Sequence, residues 1–415
     1  TYYNNVKIKN LKDKKGQTEQ VIGIPENAKL TNFSWSPDQT KIALTNTTSE
    51  GVELWLLTLK TGYVTKLTAP ELNANIGSAI TWNTDSQLMF VKMLSPNKQP
   101  LIDTKSVVPN GPTVSTNFGA KAQNRTYQDL LKNKFDEHNF EQLSTSTIFK
   151  VSINGESEKW LDEAMYRGIS LSPDGKYVMV TQLKKPFSYL VTYSRFPSQT
   201  DIYTNKGELV TNLLDTPLIE ELPKGRMSTR TGKRSYSWRP DQPSTLIYVQ
   251  ALDQGDPAIK IEYRDEVFEI AAPFNGEGKS LVKTINRFSG IDWGTESLAI
   301  AYDYWWDTRN RKAYAFNPSN PESKPKTIYD RNYQDVYNDP GSFLKSRNSF
   351  NRSVLQIYKG NAFLRGSGFT KEGQFPFIDK INTTSFEKTR VYQSKYTDKV
   401  ESIQDFDAVK NEIIV

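Results

Sequence analysis

Short apolar stretches separated by turn residues recur along the chain, and one unit repeats. In Asn32–Leu44, NFSWSPDQTKIAL, Phe33 and Trp35 alternate with serines. Pro37-Asp38 then makes a turn, and Ile42 to Leu44 begins a return strand. Proline suits the second position of a type I turn because its φ is already close to the required value. The pattern returns at Ser78–Val91, SAITWNTDSQLMFV, at Gly168–Val180, and at Ser235–Val249, SYSWRPDQPSTLIYV, with a fainter copy at Gly290–Tyr302. Aligned on Trp35, Trp82, Leu171, Trp238 and Trp293, the copies are spaced by 47, 89, 67 and 55 residues. A four-stranded propeller blade takes about 40–50 residues, more with loop insertions. A later unit, Ala362–Gln393, has the same strand–turn–strand character. The expectation is an all-β fold over 1–415: a β-propeller of seven or eight four-stranded blades, incomplete at the termini, of which about six are visible. Unrelated hairpins in a sandwich would not repeat one pattern five times.

The long spacing marks an insertion at 93–144. Within it, RTYQDLLKNKFDEHNFEQL, Arg125 to Leu143, predicts the best helix of the chain. Thr126 can cap it with Asp129 three residues on, and Leu130, Leu131 and Phe135 form an apolar stripe near the helical period. His138, the sole histidine, reads as a solvated residue of that helix.

Aromatic residues, 12% of the chain, reinforce the strand assignment. The net charge of +6 is mild and scattered apart from Arg226 to Arg239, so no nucleic-acid footprint is expected. Cysteine is absent, which excludes disulfides, thiolate metal sites and thiol catalysis. Its absence suits a periplasmic or secreted setting. No apolar run approaches the roughly 20 residues of a membrane helix, so no membrane insertion is expected. The chain starts as though processed, at TYYNNVKIKN, and ends in NEIIV as though a strand were interrupted. No nucleophile elbow, phosphate loop or zinc motif occurs, and neither metal nor cofactor is expected. Carboxylate pairs such as Glu220-Glu221 give no specific case for glycosidase chemistry.

The chemically interesting stretch is Pro186–Pro197, PFSYLVTYSRFP. Read as a strand, its alternation puts Phe187, Tyr189, Val191, Tyr193 and Arg195 on one face. A guanidinium among aromatic rings can hold a carboxylate bidentately while the rings exclude water. The alternative is that Arg195 serves an internal ion pair, with Asp201 nearby in sequence. A second candidate set is Arg226, Arg230, Arg234 and Arg239. Tyr302–Arg311, YDYWWDTRNR, mixes aromatic and charged residues and reads as a blade strand.

The run SPDGKYVMVTQLKKPFSYLVTYSRFPSQTDIYTNKG resembles the propeller of the prolyl oligopeptidase family, and more closely its glutamyl endopeptidase branch. GPTVSTNFGAKAQNRTYQDLLKNKFDE, TRTGKRSYSWRPDQPSTLIYVQALDQGDP and the GIDWG unit leading to WWDTRNRK agree, in the expected order over most of the chain. The resemblance implies a propeller joined to a C-terminal α/β-hydrolase domain that carries the serine, aspartate and histidine and cleaves after glutamate. That domain is absent from this chain, so no catalytic residue carries over and the chain alone is expected to be inactive. The propeller of such an enzyme covers the active site, gates peptide substrates and can supply specificity contacts. The resemblance makes Arg195 the candidate partner of a glutamate side chain, with Tyr193, Tyr189, Arg230 and Arg234 as further substrate-binding candidates. Partners are then a peptide substrate and the hydrolase domain. A stand-alone propeller of the TolB type, binding a protein or peptide, is the alternative, and the length of the gene would separate the two.

Overall fold

A computed structural model describes residues 1–10, 16–103, 106 and 127–415. Among these residues almost everything regular is strand, in consecutive antiparallel meanders of four. These are β-propeller blades. The chain divides into two units, Thr1–Glu221 and Leu222–Val415.

In the first unit, blade 1 comprises Leu30–Trp35, Lys41–Thr47, Val52–Thr58 and Tyr63–Lys66. Blade 2 comprises Ile80–Trp82, Leu88–Leu94, Ser146–Ser152 and the first half of the long strand Ser157–Leu171. The second half of that strand crosses over to pair with Tyr177–Leu183 and so opens blade 3. Ser198–Thr204 and Leu209–Thr216 complete it. In the second unit, blade 4 comprises Arg234–Trp238, Thr245–Ala251, Asp265–Ala271 and Lys279–Thr284, and blade 5 comprises Arg287–Thr295, Leu298–Trp305, Asn310–Phe316 and Lys326–Asn332. Blade 6 comprises Ser342–Phe343, Asn361–Gly366, Phe377–Asn382 and Lys388–Gln393, with Ile357–Tyr358 added beside it. Six four-stranded blades are thus complete among the described residues. Strand pairs lie beyond them: Lys7–Ile8 with Glu19–Gln20, and Asp405–Asp407 with Glu412–Ile414.

Burial explains why the second strands carry consecutive apolar residues rather than a strict alternation. Leu88–Leu94 is buried at five consecutive positions because both of its faces are covered, whereas the edge strand Lys326–Asn332 has no fully buried residue. Core packs between neighbouring blades. Ala43, Leu54 and Leu56 of blade 1 meet Ile80, Trp82 and Met89 of blade 2. Ile247, Val249 and Val267 of blade 4 meet Trp293, Ala299 and Ala301 of blade 5. The repeated tryptophan locks blade to blade as well: Trp82 Nε1 donates to the Ser34 carbonyl at 3.0 Å.

The repeated SPD turn has one hydrogen-bond scheme. Ser36 Oγ donates to Asp38 at 2.6 Å and accepts from the Lys41 amide at 3.0 Å. In blade 3, Ser172 Oγ donates to Asp174 at 2.7 Å and accepts from the Tyr177 amide at 3.0 Å. Desolvation works against the charge of Asp38, but bonds from Ser36 and Thr40 outweigh it and hold this carboxyl down to about 2. In blade 4 arginine replaces the serine: Arg239 Nε donates to Asp241 at 3.1 Å.

These turns join first to second strands. In an antiparallel meander, the second-to-third and blade-to-blade connections must emerge at the opposite edge. The long connections of blades 1–5 are there: 95–145, 184–197 and 252–264 join second to third strands, and 67–79 and 217–233 join blades. In each of blades 1–4 one edge is therefore formed by short turns, and the other carries the loops that can hold chemistry.

The insertion falls where the repeat spacing put it, between Leu94 and Ser146. Its helix is shorter than the stripe predicts, running Lys134–Ser144. Asn133 is the cap, its side chain accepting from the Asp136 amide at 2.9 Å. Asp136 and Glu137 stand in the first turn, where the helix dipole favours acids. Asp129 has φ +55, which no helix allows, so Leu130 and Leu131 precede the helix. Thr126 lies outside the described residues. No helix among the described residues is long and apolar enough to cross a membrane.

Candidate functional site

In the first unit the loop edge is organised by a small aromatic core. Leu183, Val191 and Phe196 are buried with Ile76, and Tyr127, Leu131, Phe140, Met165 and Phe187 pack around them. Phe140 of the helix meets Phe187 at 5.1 Å and Phe196 at 5.6 Å, edge to face. This core overturns the strand expected at Pro186–Pro197. Phe187, Val191 and Phe196 differ in parity yet all face it, which no extended strand permits. The segment is instead a closed loop. The Lys184 amide donates to the Pro197 carbonyl at 2.7 Å across its base. A 3-10 turn, Tyr193–Arg195, folds its tip.

The predicted residues are distributed around this loop. The Tyr189 hydroxyl donates to Glu137. Desolvation first, then the Glu137 carboxylate, push this phenol up to about 12. Tyr193 is 42% exposed, with its ring 6.2 Å from Phe140. Arg195 is half-buried with its guanidinium 5.5 Å from the centre of the Tyr127 ring. Nearby, Lys185 pairs with Glu141 at 2.8 Å and Ser188 Oγ donates to Glu220 at 2.6 Å. Asp201 accepts from Gln199 and Asn212. His138 Nε2 meets the Pro100 carbonyl at 3.1 Å, within the fold of the insertion.

In the second unit the loop edge of blades 4 and 5 holds a connected set of arginines. Arg287 is buried at the start of blade 5 and grips both oxygens of Asp253, at 2.7 and 2.8 Å. It also reaches Asp265 at 3.1 Å and the Met227 carbonyl at 2.8 Å. Arg264 meets Asp253 at 2.7 Å, and Arg234 meets Asp265 at 2.6 Å. Three guanidinium groups thus surround two fully buried aspartates. Arg234 therefore has its charge matched inside the fold. Arg230 donates to the carbonyls of Thr231 and Lys233. Burial, then the adjacent Arg234, lower its proton affinity.

The tryptophans of YDYWWDTRNR extend this cluster. Arg264 lies 4.1 Å from the Trp305 ring centre, while Arg226 and Arg309 lie 3.5 and 3.6 Å from that of Trp306. Sequence reading missed Asp253, Arg264, Asp265, Arg287 and Arg309. The signal available was the arginine beside paired tryptophans in WWDTR, which period-2 reading absorbed into a strand.

On the turn edge of the same unit, a cavity of about 440 Å³ is lined by Arg239, Glu269 and Lys279 among others. Arg239 is spent there on Asp241 and Glu269 and is stacked 4.1 Å from the Trp293 ring centre. That cavity is mixed in charge and built from turns.

No family model matches the chain. It is 33% identical over 413 residues to a probable glutamyl endopeptidase, chloroplastic, of Oryza sativa subsp. japonica, covering 95% of this chain and 44% of that protein. It is 32% identical to the probable glutamyl endopeptidase, chloroplastic, of Arabidopsis thaliana, covering 91% and 40%. The chain therefore spans less than half the length of the curated relatives it matches. Among solved structures, the β-propeller domain of the Trilobed protease from Pyrococcus furiosus is similar at a TM-score of 0.41 and 11% identity, covering 88% of this chain and 84% of that one.

Proposed function

We propose, for a chain that belongs to the glutamyl endopeptidase branch of the prolyl oligopeptidase family, that it is the non-catalytic propeller of a serine endopeptidase, restricting access to the active site and selecting acidic peptides. The observation that carries this reading is the division of labour between blade edges. In each of blades 1–4 the first-to-second and third-to-fourth connections are short, four to seven residues, while the long connections, with Arg195, Arg226, Arg230 and Arg234, stand at the opposite edge of their own blades. A domain that only held a scaffold would have no use for that asymmetry.

Within this reading Arg195 is the glutamate selector. A guanidinium half-sheltered by rings distinguishes a carboxylate from an amide because it can pair bidentately with two charged oxygens, whereas glutamine offers one neutral acceptor. Arg230 is the second candidate, since its donors meet only carbonyls, and Tyr189 and Tyr193 supply the flanking surface. In the protein joined to its hydrolase domain, Arg195→Ala is expected to lower kcat/KM for glutamyl peptides about tenfold or more relative to glutaminyl ones. An unchanged preference would remove Arg195 from this role.

A further inference from the structure

Trp306 carries two arginines on one indole. Two guanidinium carbons at 3.5 and 3.6 Å from one ring centre, both over the ring, must lie on opposite faces. On one face they would overlap. They are then about 7 Å apart. The backbone holds them from two sides: Arg226 comes from the blade-to-blade connection 217–233 and Arg309 from the tight connection 306–309. Arg309 also donates to the Trp306 carbonyl, so its side chain folds back onto its own turn.

A guanidinium stacked on a ring presents its N–H groups sideways, past the ring edge. Two such forks about 7 Å apart match a particular ligand. In an extended peptide, side chains on one face recur every second residue, at about 6.6–6.8 Å. We infer that Arg226, Trp306 and Arg309 form a docking site for an extended peptide segment with carboxylates two residues apart.

The surroundings favour negative charge. Lys224, Arg226, Arg230, Lys233 and Arg234 lie in 222–234 without one acid among them. Asp253 and Asp265 nearby are buried and engaged by Arg234, Arg264 and Arg287. Asp256 folds back on the Ala258 amide at 2.9 Å. Exposed acids of the same connections are Glu221 in 217–233, Glu262 in 252–264 and Asp307 in the arginine-bearing turn. Neither indole face is open for an apolar ligand, because each is covered by a cation.

The inference rests on reading the chain as a peptide-selecting domain, but its test needs no hydrolase domain, so lost binding and lost cleavage preference are scored apart. Three pentapeptides, Gly-Glu-Thr-Glu-Gly, Gly-Thr-Glu-Glu-Gly and Gly-Gln-Thr-Gln-Gly, are titrated into the 415-residue chain by calorimetry. The spaced diacid is expected to bind about fivefold or more tighter than the adjacent one, and the glutamine peptide about tenfold weaker than the spaced one. Arg309→Gln should abolish the spacing preference while the far-ultraviolet spectrum stays unchanged. Arg226→Gln, from the other connection, should do the same, which keeps the test intact if one variant fails to fold. Equal binding of the two diacids, or a spacing preference that survives both substitutions, would overturn the site.

Discussion

Arg287→Met is expected to destabilise the chain by about 3–5 kcal/mol, read as a fall in the urea midpoint of unfolding. Asp253 and Asp265 have 0% side-chain exposure, and each receives a hydrogen bond from Arg287. Removing that one cation leaves Arg264 on Asp253 and Arg234 on Asp265 but takes the bidentate grip from the first and a bond from the second. The Met227 carbonyl loses its donor as well. Methionine fills the volume, so the loss is electrostatic rather than a cavity. Lys345→Met supplies the contrast. Lys345 meets Asp292 at 2.6 Å, yet its side chain is 45% exposed, and such a pair contributes at most about 1 kcal/mol. Equal effects of the two substitutions would mean that the buried network is not what holds this edge.

Gly255→Ala is expected to cost about 2–4 kcal/mol, by two additive causes. Gly255 has φ +76, where a side chain is strained, and an added Cβ would sit 2.0 Å from the Thr229 carbonyl oxygen. Thr229 also donates to the Gly255 carbonyl at 3.0 Å, so the connections 217–233 and 252–264 touch here backbone to backbone. The clash cannot be relieved by rotating a side chain. It must push the arginine-bearing connection away from its neighbour. Gly276→Ala separates the causes. Its φ is +82, but nothing lies within 4 Å of the new Cβ, so only the backbone strain of about 1–2 kcal/mol applies. Matching urea midpoints for the two variants would show that the close approach is not rigid.

These two sites show what a sequence discloses of such a fold. The blade repeat was legible because a tight turn needs particular residues at fixed offsets, and Ser36/Asp38 and Ser172/Asp174 meet that need identically. The insertion was legible as an excess of spacing. The loop at 184–197 was not, because an alternating sequence specifies a strand only where a neighbour is available to pair with. Here Phe140, from the insertion, offered an apolar surface instead and drew in Phe187 and Phe196. The helix start was misplaced for a related reason. Leu130 and Leu131 continue the apolar stripe, but Asn133 caps two residues later and ends the choice. The arginine cluster was half legible. Arg226, Arg230 and Arg234 stand in one basic run, whereas their aspartates and tryptophans come from 253–265 and 305–306, which only the register of blades 4 and 5 brings to one edge.

The role proposed for this propeller is to select and restrict without catalysing. The direct measurement compares the purified chain with the same chain joined to the C-terminal hydrolase domain proposed for the full-length protein, on a short glutamyl peptide and on a folded protein rich in surface glutamate. No cleavage by the chain alone is expected. The joined protein should cleave the peptide, sensitively to a serine-directed inhibitor, and leave the folded protein intact. Inhibitor-sensitive cleavage by the chain alone, or equal cleavage of both substrates by the joined protein, would contradict it.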